Sequence, residues 1–477
     1  MSSFSPKPKP NRPMFTKKKI HFEISERKVL LHAFDALFVL LALYLLNLLF
    51  NFQYFQFSIA NYYWEIVLIA YVYMFGSIFE MYNLQVASNQ FQILKSTIFT
   101  ATTTVSVYLL TPILSPELPK NRIAIVIFYF AVLFALLSWR YIYVYFLASH
   151  RFVQNVVLIC DQNQVEELVL GLENVDPHYK IIGFVNSDSV CERDLNFHYV
   201  KEINKENLEN FVIRNDVAEI VIASQTAEGI TADLYQQLLH LLQSGNIIRE
   251  YTQVYESKTQ RIPVQYIARD FYRFFPFSRS NNNKLYLLLG RILEFFFSSL
   301  GLLICFFLIP FISCANLFGN KGKLFYTQER VGKNGNVFKI YKFRTMVENS
   351  EANGAVFATS SDKRITPFGK FMRKSRIDEL PQFFNVLRGD MAVIGPRPER
   401  PFFVDEIAQI MPFYETRHVI KPGLTGWAQV NYSYGESIEE SLIKLQYDLY
   451  YIKHRSIFLD LSITFKTITT IVFYRGQ

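Results

Sequence analysis

Four apolar stretches follow one another near the start of this chain: 29–50 (VLLHAFDALFVLLALYLLNLLF), 62–80, 96–115 and 123–147. Each approaches the roughly 20 residues that a helix needs to cross a bilayer. Backbone polar groups in lipid must be satisfied within the segment, so four such stretches with tight loops fold as a transmembrane helix bundle over 29–150. His32 and Asp35 fall near the start of the first stretch, where they can reach the interface. Composition agrees. Of 477 residues 51% are hydrophobic and only 19% charged, less charge than a soluble domain usually carries.

Charge sets the orientation. Residues 1–28 are basic and polar, lack a signal-peptide cleavage site, and read as a disordered tail. That tail, with Arg140 and Arg151 around the end of the fourth stretch, places both flanks of the bundle in the cytoplasm. Lys120 and Arg122 in the 116–122 loop oppose this, and an even number of crossings keeps the assignment consistent. The net charge of +8 favours anionic partners, membrane lipid headgroups or phosphate substrates. The basic residues are spread out, which argues against nucleic acid. Cys160, Cys191, Cys305 and Cys314 form no C-x-x-C pair and read as reduced thiols.

From about residue 152 the texture changes. FVQNVVLIC, YKIIGFVNS and EIVIAS read as strands; DQNQVEELVLGLENV, a stretch near 205–213 and TADLYQQLLHLLQSG read as helices; NIIREYTQVYES returns to extended chain. Strands alternating with helices predict βαβ units and a parallel sheet, a Rossmann-like domain over 151–275. Its first turn reads Cys160-Asp161-Gln162-Asn163, without the glycines that let a backbone approach a pyrophosphate. A structural or regulatory role without a nucleotide is the expectation.

A fifth apolar segment, 286–318, is long enough to span, yet Arg291 and Glu294 lie in its first part and Pro310 interrupts its second. Proline removes a helix hydrogen bond and bends the axis. A full crossing would place the basic, motif-rich residues 319–477 outside the cell, whereas a segment that bends back keeps them inside.

Those residues carry five polar clusters: 327–346 (TQERVGKNGNVFKIYKFRTM), 361–382 (SDKRITPFGKFMRKSRIDELPQ), 391–401 (MAVIGPRPERP), 417–435 and 444–452. Lys342 and Arg344 alternate with Tyr341 and Phe343, so a strand would point both cations to one face. Arg364, Arg373, Lys374, Arg376 and Arg397 add positive charge, and guanidinium forks suit phosphate oxygens. Pro396 and Pro398 restrict where Arg397 points. Gly423 and Gly426 flank Thr425 in a turn whose amides can meet an anion. Among these cations sits Asp378-Glu379. One reading is local: Ser375 caps a helix whose first turn favours acids. The other is chemical: a carboxylate kept ionised by cations attacks phosphorus, and its neighbour holds a divalent ion.

Taken in order, an apolar hairpin, Q-E-R-V-G, K-F-R-T-M, D-E-L-P-Q, G-P-R-P-E, K-P-G-L-T-G-W-A-Q-V and Y-D-L-Y-Y-I over 284–477 closely resemble the bacterial sugar transferases, the monotopic polyprenyl-phosphate sugar-1-phosphate transferases. The architecture ahead of them resembles the long form of that family, used in exopolysaccharide, capsule and O-antigen synthesis. The implied fold is a membrane α-helical bundle, an α/β Rossmann-like domain and a mainly α (α+β) monotopic catalytic domain with a re-entrant helix. The implied reaction is ping-pong. Asp378 attacks the β-phosphate of a UDP-sugar, UMP leaves, and polyprenyl (undecaprenyl) phosphate takes the phosphosugar. Glu379 would bind Mg2+, with Asp448 assisting the metal or nucleotide. Lys342, Arg344 and Arg397 would meet phosphates, Arg373 is expected to bind them too, and Pro310 would break the re-entrant helix. The implied place is the bacterial inner membrane, with the catalytic domain facing the cytoplasm, and a homodimer fits so large a bundle. Arg376 stands where the family usually has Ser, and Glu294 where it usually has Asp.

Two competing readings are a membrane-bound nucleotide-sugar dehydratase and a non-catalytic scaffold of a polysaccharide assembly complex. The first needs a glycine fingerprint and a Y-x-x-x-K pair, absent from the Rossmann-like part; intact D-E, K-F-R-T-M and G-P-R-P weigh against the second.

Overall fold

The computed structural model describes residues 24–50, 52, 54–82, 90–146, 153–174, 179–187, 200–223, 231–264, 283–320, 322–347, 362, 364–411, 413–432 and 438–472. The expected tail therefore lies outside the described residues up to position 23, and helix begins at Ile24.

The apolar stretches form α1 (Ile24–Phe50), α2 (Tyr62–Ile78), α3 (Gln90–Leu110) and α4 (Arg122–Phe146). By length and composition α1, α3 and α4 can cross a membrane, and α2 is a shorter apolar helix. Their outer faces carry exposed Leu41, Leu48, Phe130 and Phe134, as lipid-facing helices do. Asp35 and Arg140 overturn their expected places at the interface. Arg140 donates to Asp35 at 2.5 Å and both are almost wholly buried, at 1% and 0% exposure. A charge inside a bundle survives only when paired, so Arg140 ties α4 to α1 and carries no flanking signal.

The chain divides into two compact units, one holding Tyr145–Tyr251 and the other Lys28–Val144 with Thr252–Gln477. In the smaller unit β1 (Gln154–Cys160), β2 (Tyr179–Asn186), β3 (Lys201–Glu202), β4 (Val217–Ile222) and β5 (Ile247–Glu250) form a sheet of order β3-β2-β1-β4-β5 with every pairing parallel. Helices α5 (Val165–Glu173), α6 (Leu208–Arg214) and α7 (Ala232–Gln243) connect the strands. This is the Rossmann-like alternation that the sequence predicts. Val157, Ile159, Val185 and Ile220 bury fully against Leu208, Leu234 and Leu241.

Residues 251–259 fold differently from expectation. They form helix α8 (Tyr251–Thr259), not extended chain. With the residues after it, α8 packs into the larger unit, so the boundary expected at 275 falls at 251. Tertiary contacts decide this segment over its strand-like composition. Ile262 and Val264 join a core containing Phe403, Trp427, Leu445 and Ile452.

In the larger unit the fifth apolar segment is one 36-residue helix, α9 (Lys284–Gly319), running through Pro310 without interruption. The break expected at Pro310 is absent. The proline sits on an exposed part of the helix, where a missing hydrogen bond can be tolerated. After α9 come the antiparallel pair β6 (Phe325–Val331) and β7 (Val337–Phe343). Helix α10 (Pro367–Ser375), a 3-10 turn at Ile377–Gln382 and α11 (Phe383–Arg388) follow. Then come β8 (Ala392–Ile394), α12 (Pro401–Ile410), a 3-10 turn at Tyr414–Val419, β9 (Gly423–Thr425), α13 (Trp427–Asn431), α14 (Ile438–His454) and α15 (Ile457–Val472). The end of α15 packs against α2, with Thr469 Oγ1 donating to Ile78 O.

Buried residues on α9 fall at Ser298, Gly301, Cys305, Ile312 and Asn316, spacings of three, four and seven that make one stripe. The stripe lies against the globular part of the unit. Cys305 and Ile312 share a core with Phe343 and Met372, and Gly301 sits so close to the Phe383 ring that a Cβ would come within 2.4 Å of it. Both ends are held too. Tyr286 donates to Asp460, Arg291 donates to the carbonyls of Val386 and Leu387, and Asn316 donates to Gly322 O. Phe296, Phe306, Phe307, Phe311 and Phe318 remain exposed.

Candidate functional site

The acid pair lies on the short turn between α10 and α11. Arg376 opens that turn with φ at 59°, a left-handed conformation that a non-glycine residue adopts at a cost. Ser375 is the last residue of α10 and donates back to Phe371 O, so it is not the helix cap that the local reading required. In a 3-10 turn residues three apart share a side. Ile377 and Leu380 accordingly pack with the apolar cluster of Cys305 and Met372, and Asp378 and Glu379 point elsewhere.

Three cations meet Glu379. Lys342 Nζ lies 3.1 Å and Arg397 Nη2 3.0 Å from Oε1, and Arg376 Nη1 lies 3.6 Å from Oε2. Lys342 comes from β7 and Arg397 from the segment after β8, so residues far apart in sequence converge. Asn385, fully buried, fixes β7 against α11 by accepting from Tyr341 N and donating to Lys339 O. Asp378 is buried, and its Oδ1 has no hydrogen-bond partner. Arg373 is close enough for its charge to bear on Asp378, while its Nε donates to Thr345 Oγ1.

The two carboxyls titrate in opposite directions. Burial, then the neighbouring Glu379 charge, pushes Asp378 up to about 6 against Lys342, Arg373 and Arg376. Burial also opposes ionisation of Glu379, but Lys342, Arg397 and Arg376 more than offset it and hold Glu379 well below the usual range. The cations thus secure Glu379 more firmly than Asp378, a refinement of the expectation that they keep Asp378 ionised.

Two expected site residues are engaged elsewhere. Arg344 donates to the carbonyls of Lys323, Asn320 and Met346, and so holds the chain that leaves α9. Strand β7 ends at Phe343, so the alternation that would pair Arg344 with Lys342 does not reach it. Asp448 on α14 accepts from Arg417 Nη2 at 2.7 Å. Among the described residues no group of three His, Cys, Asp or Glu side chains forms a metal site. A divalent ion would fit only in part here: the orphaned Asp378 Oδ1 and Glu379 offer oxygens, and an added diphosphate would have to supply the rest.

The G-P-R-P and K-P-G-L-T-G motifs meet backbone to backbone. β8 and β9 pair in parallel, with Ala392 opposite Gly423 and Ile394 opposite Thr425. A Cβ at Gly423 would lie 2.1 Å from Gly395 N, and one at Gly426 2.1 Å from Gly395 O. Only glycine permits this crossing. Arg330 and Arg417 were not singled out from sequence, although both sit in quoted motifs. Each donates to a carbonyl of the Arg397 segment, at Pro398 and at Arg397 itself. Glu294, the departure from the family's Asp, accepts from Arg291 at 3.2 Å and so keeps a carboxylate beside the arginine that holds α11.

A buried Asp378 beside a half-buried Glu379, with three cations converging on the pair, sits on a domain that bears an exposed apolar helix, the arrangement of a membrane-associated protein. Residues 285–474 match the family described as Bacterial sugar transferase. A relative from Aeromonas hydrophila, UDP-N-acetylgalactosamine-undecaprenyl-phosphate N-acetylgalactosaminephosphotransferase, is 54% identical over 151 residues, 32% of this chain and 36% of its own. The putative undecaprenyl-phosphate N-acetylgalactosaminyl 1-phosphate transferase of Bacillus subtilis (strain 168) is 42% identical over 153 residues, 32% of this chain and 86% of its own. A UDP-glucose:undecaprenyl-phosphate glucose-1-phosphate transferase from Klebsiella pneumoniae is 38% identical over 195 residues, 40% of this chain and 42% of its own. The match thus spans about a third of the Aeromonas relative and most of the Bacillus one. The chain belongs to the bacterial sugar transferase family.

Proposed function

We propose that the protein transfers a sugar 1-phosphate from a UDP-sugar to polyprenyl (undecaprenyl) phosphate and releases UMP, a first membrane step in making a surface polysaccharide. The observation that carries this reading is Asp378, buried with an unpartnered oxygen beside Glu379, beneath Lys342, Arg373, Arg376 and Arg397. An Asp378 oxygen attacks the β-phosphorus. The bond from that phosphorus to the UMP oxygen breaks, and UMP leaves with the electron pair. A polyprenyl phosphate oxygen then attacks the same phosphorus, the acyl phosphate bond breaks, and Asp378 is restored. Lys342 and Arg397, displaced from Glu379 by the diphosphate, neutralise charge on its oxygens. Mg2+, bound by Glu379, Asp378 and the donor's own oxygens, would stabilise the departing UMP.

The catalytic unit rests on one leaflet, facing the cytoplasm, with α9 monotopic and both its ends on that side. The buried stripe supports this, because α9 is held from Tyr286 to Asn316. A helix of 36 residues is about 54 Å long, enough by length and composition to cross a bilayer, but it is pinned to the globular part at Tyr286, Arg291 and Asn316. The donor to try first is UDP-N-acetylgalactosamine, since the relatives at 54% and 42% identity are named for that sugar.

Membranes holding the full chain, given Mg2+ and a panel of UDP-sugars, test the reading. UMP should appear before any lipid acceptor is added, and a phosphosugar should remain on the peptide containing Asp378. Asp378→Asn should abolish both. An active Asp378→Asn variant, or UMP forming only when acceptor is present, would sink the covalent route.

A further inference from the structure

The backbone around Arg397 is held at three successive residues. Proline at 396 and 398 removes the amide donors on either side, so the carbonyls are the available handles. Three successive carbonyls are taken. Pro396 O accepts from Gly423 N at 2.9 Å, Arg397 O from Arg417 Nη2 at 2.9 Å, and Pro398 O from Arg330 Nη1 at 3.0 Å. Three anchors on adjacent peptide units leave the Cα of Arg397 little freedom, and its guanidinium is thereby aimed at Glu379, 3.0 Å away.

Arg417 is itself held on two further sides. Its Nη2 also donates to Asp448 Oδ2 at 2.7 Å, and its Nη1 donates to the Tyr414 hydroxyl. The guanidinium carbon lies 4.9 Å from the centre of the Tyr414 ring. Asp448 is 1% and Arg417 4% exposed. Burying an ion pair costs desolvation that packing alone could avoid with apolar residues, so this pair is poorly explained as stabilisation. Its geometry has a definite product, a cationic donor fixed on the carbonyl of Arg397.

We infer that Asp448 and Arg417 are positioning residues that act on the anion site through the backbone of Arg397, and that Asp448 does not ligate the metal. The inference rests on the proposed function only in taking Arg397 as a residue that binds a diphosphate. Asp448 fixes the fork of Arg417; Arg417 fixes the peptide; the peptide fixes where the Arg397 guanidinium waits. A guanidinium is required because one terminal nitrogen serves both Asp448 and the carbonyl while the other meets Tyr414.

The test uses the full chain in detergent and inorganic diphosphate as probe, with affinity measured by calorimetry across a Mg2+ series. Arg397→Ala and Asp448→Asn should each weaken diphosphate binding, by about tenfold, the scale of one lost charge-assisted contact. In the double variant the loss should stay within about threefold of Arg397→Ala alone, because both changes remove one interaction. The Mg2+ concentration giving half of the maximal binding should not move in Asp448→Asn. Arg417→Lys keeps the charge but loses the fork, and should repeat the pattern even if Asp448→Asn folds poorly. Losses that multiply to about a hundredfold when Asp448→Asn and, separately, Arg417→Lys are combined with Arg397→Ala, a raised Mg2+ requirement, unchanged affinity in Asp448→Asn and Arg417→Lys, or a wild-type chain that binds no diphosphate would each overturn the inference. If the diphosphate pattern holds but no UDP-sugar turns over, the reaction fails and the positioning role stands.

Discussion

Asp378 and Glu379 are adjacent, yet one is raised and the other lowered in acidity range. That is the separation the proposed mechanism asks of a nucleophile beside a firmly charged neighbour. If Asp378 attacks as the anion, the sign of the pH effect follows. Its pKa is raised to about 6, so the active form is lost as pH falls through that value. The initial burst of UMP should be flat above about pH 7 and decline about tenfold per unit below about pH 6, whereas an ordinary aspartate would hold its rate to about pH 4. A burst unchanged at about pH 5 would contradict the raised value. Lys342→Ala removes a direct partner of Glu379 and should lower turnover roughly 30- to 150-fold, the cost of about 2–3 kcal/mol in charge-assisted bonding. Wild-type turnover in that variant would mean the phosphates bind elsewhere. The dyad, Lys342 and Arg397 could be named from the sequence because their motifs are compact, and the structure brings Lys342 and Arg397 onto Glu379. Arg330 and Arg417 could not be, because their partners are backbone carbonyls and such contacts leave no mark on residue spacing. Arg344 was misplaced because strand alternation was carried one residue past the strand's end.

Among the elements, α9 shows what hydrophobicity can and cannot reveal. Its length and apolar character were plain in the sequence. Whether that length runs through the bilayer or along a protein surface depends on its partner. The clue lay in small or polar residues at helical spacing, Ser298, Gly301, Cys305 and Asn316, on an otherwise phenylalanine-rich helix. Gly301 offers a direct test, since its Cα approaches the Phe383 ring at the start of α11. Gly301→Val should push α9 off the dyad-bearing turn and lower stability by about 1–3 kcal/mol, read as a drop in Tm in detergent, with activity falling alongside. A variant with wild-type Tm and turnover would mean that the helix is not docked there. The parallel sheet was the most legible element, because fully buried strands read as continuous apolar runs. Helix α8 was the least, since its aromatic and β-branched residues favour a strand and its partners lie far along the chain, as Glu256 with Lys453 at 2.8 Å shows.

For the whole molecule, sidedness is the property to measure. On a background freed of reactive native cysteines, Lys284→Cys at the first residue of α9 and Lys323→Cys just beyond its end, both exposed, should label with a membrane-impermeant maleimide from the cytoplasmic face alone. Labelling from opposite faces would establish a full crossing. The bundle, the sheet and the apolar helix were visible as separate textures along the sequence. What joined them was not. Segment 252–264 reads as the end of one domain and serves as part of another, with Trp427 Nε1 donating to Gln260 O at 3.1 Å and Ile262 N donating to Gln446 O at 3.1 Å. Anyone excising the catalytic part for expression would naturally cut just ahead of the apolar helix, near residue 284. That cut discards two side chains, Ile262 and Val264, from the core cluster that also holds Trp427 and Leu445. A piece spanning 284–477 should therefore melt at a lower temperature in detergent than one beginning at Thr252, and equal Tm values would mean that 252–264 adds nothing to the core. The first gene fragment to try starts on a residue that, in the sequence, looks like the tail of somebody else's domain.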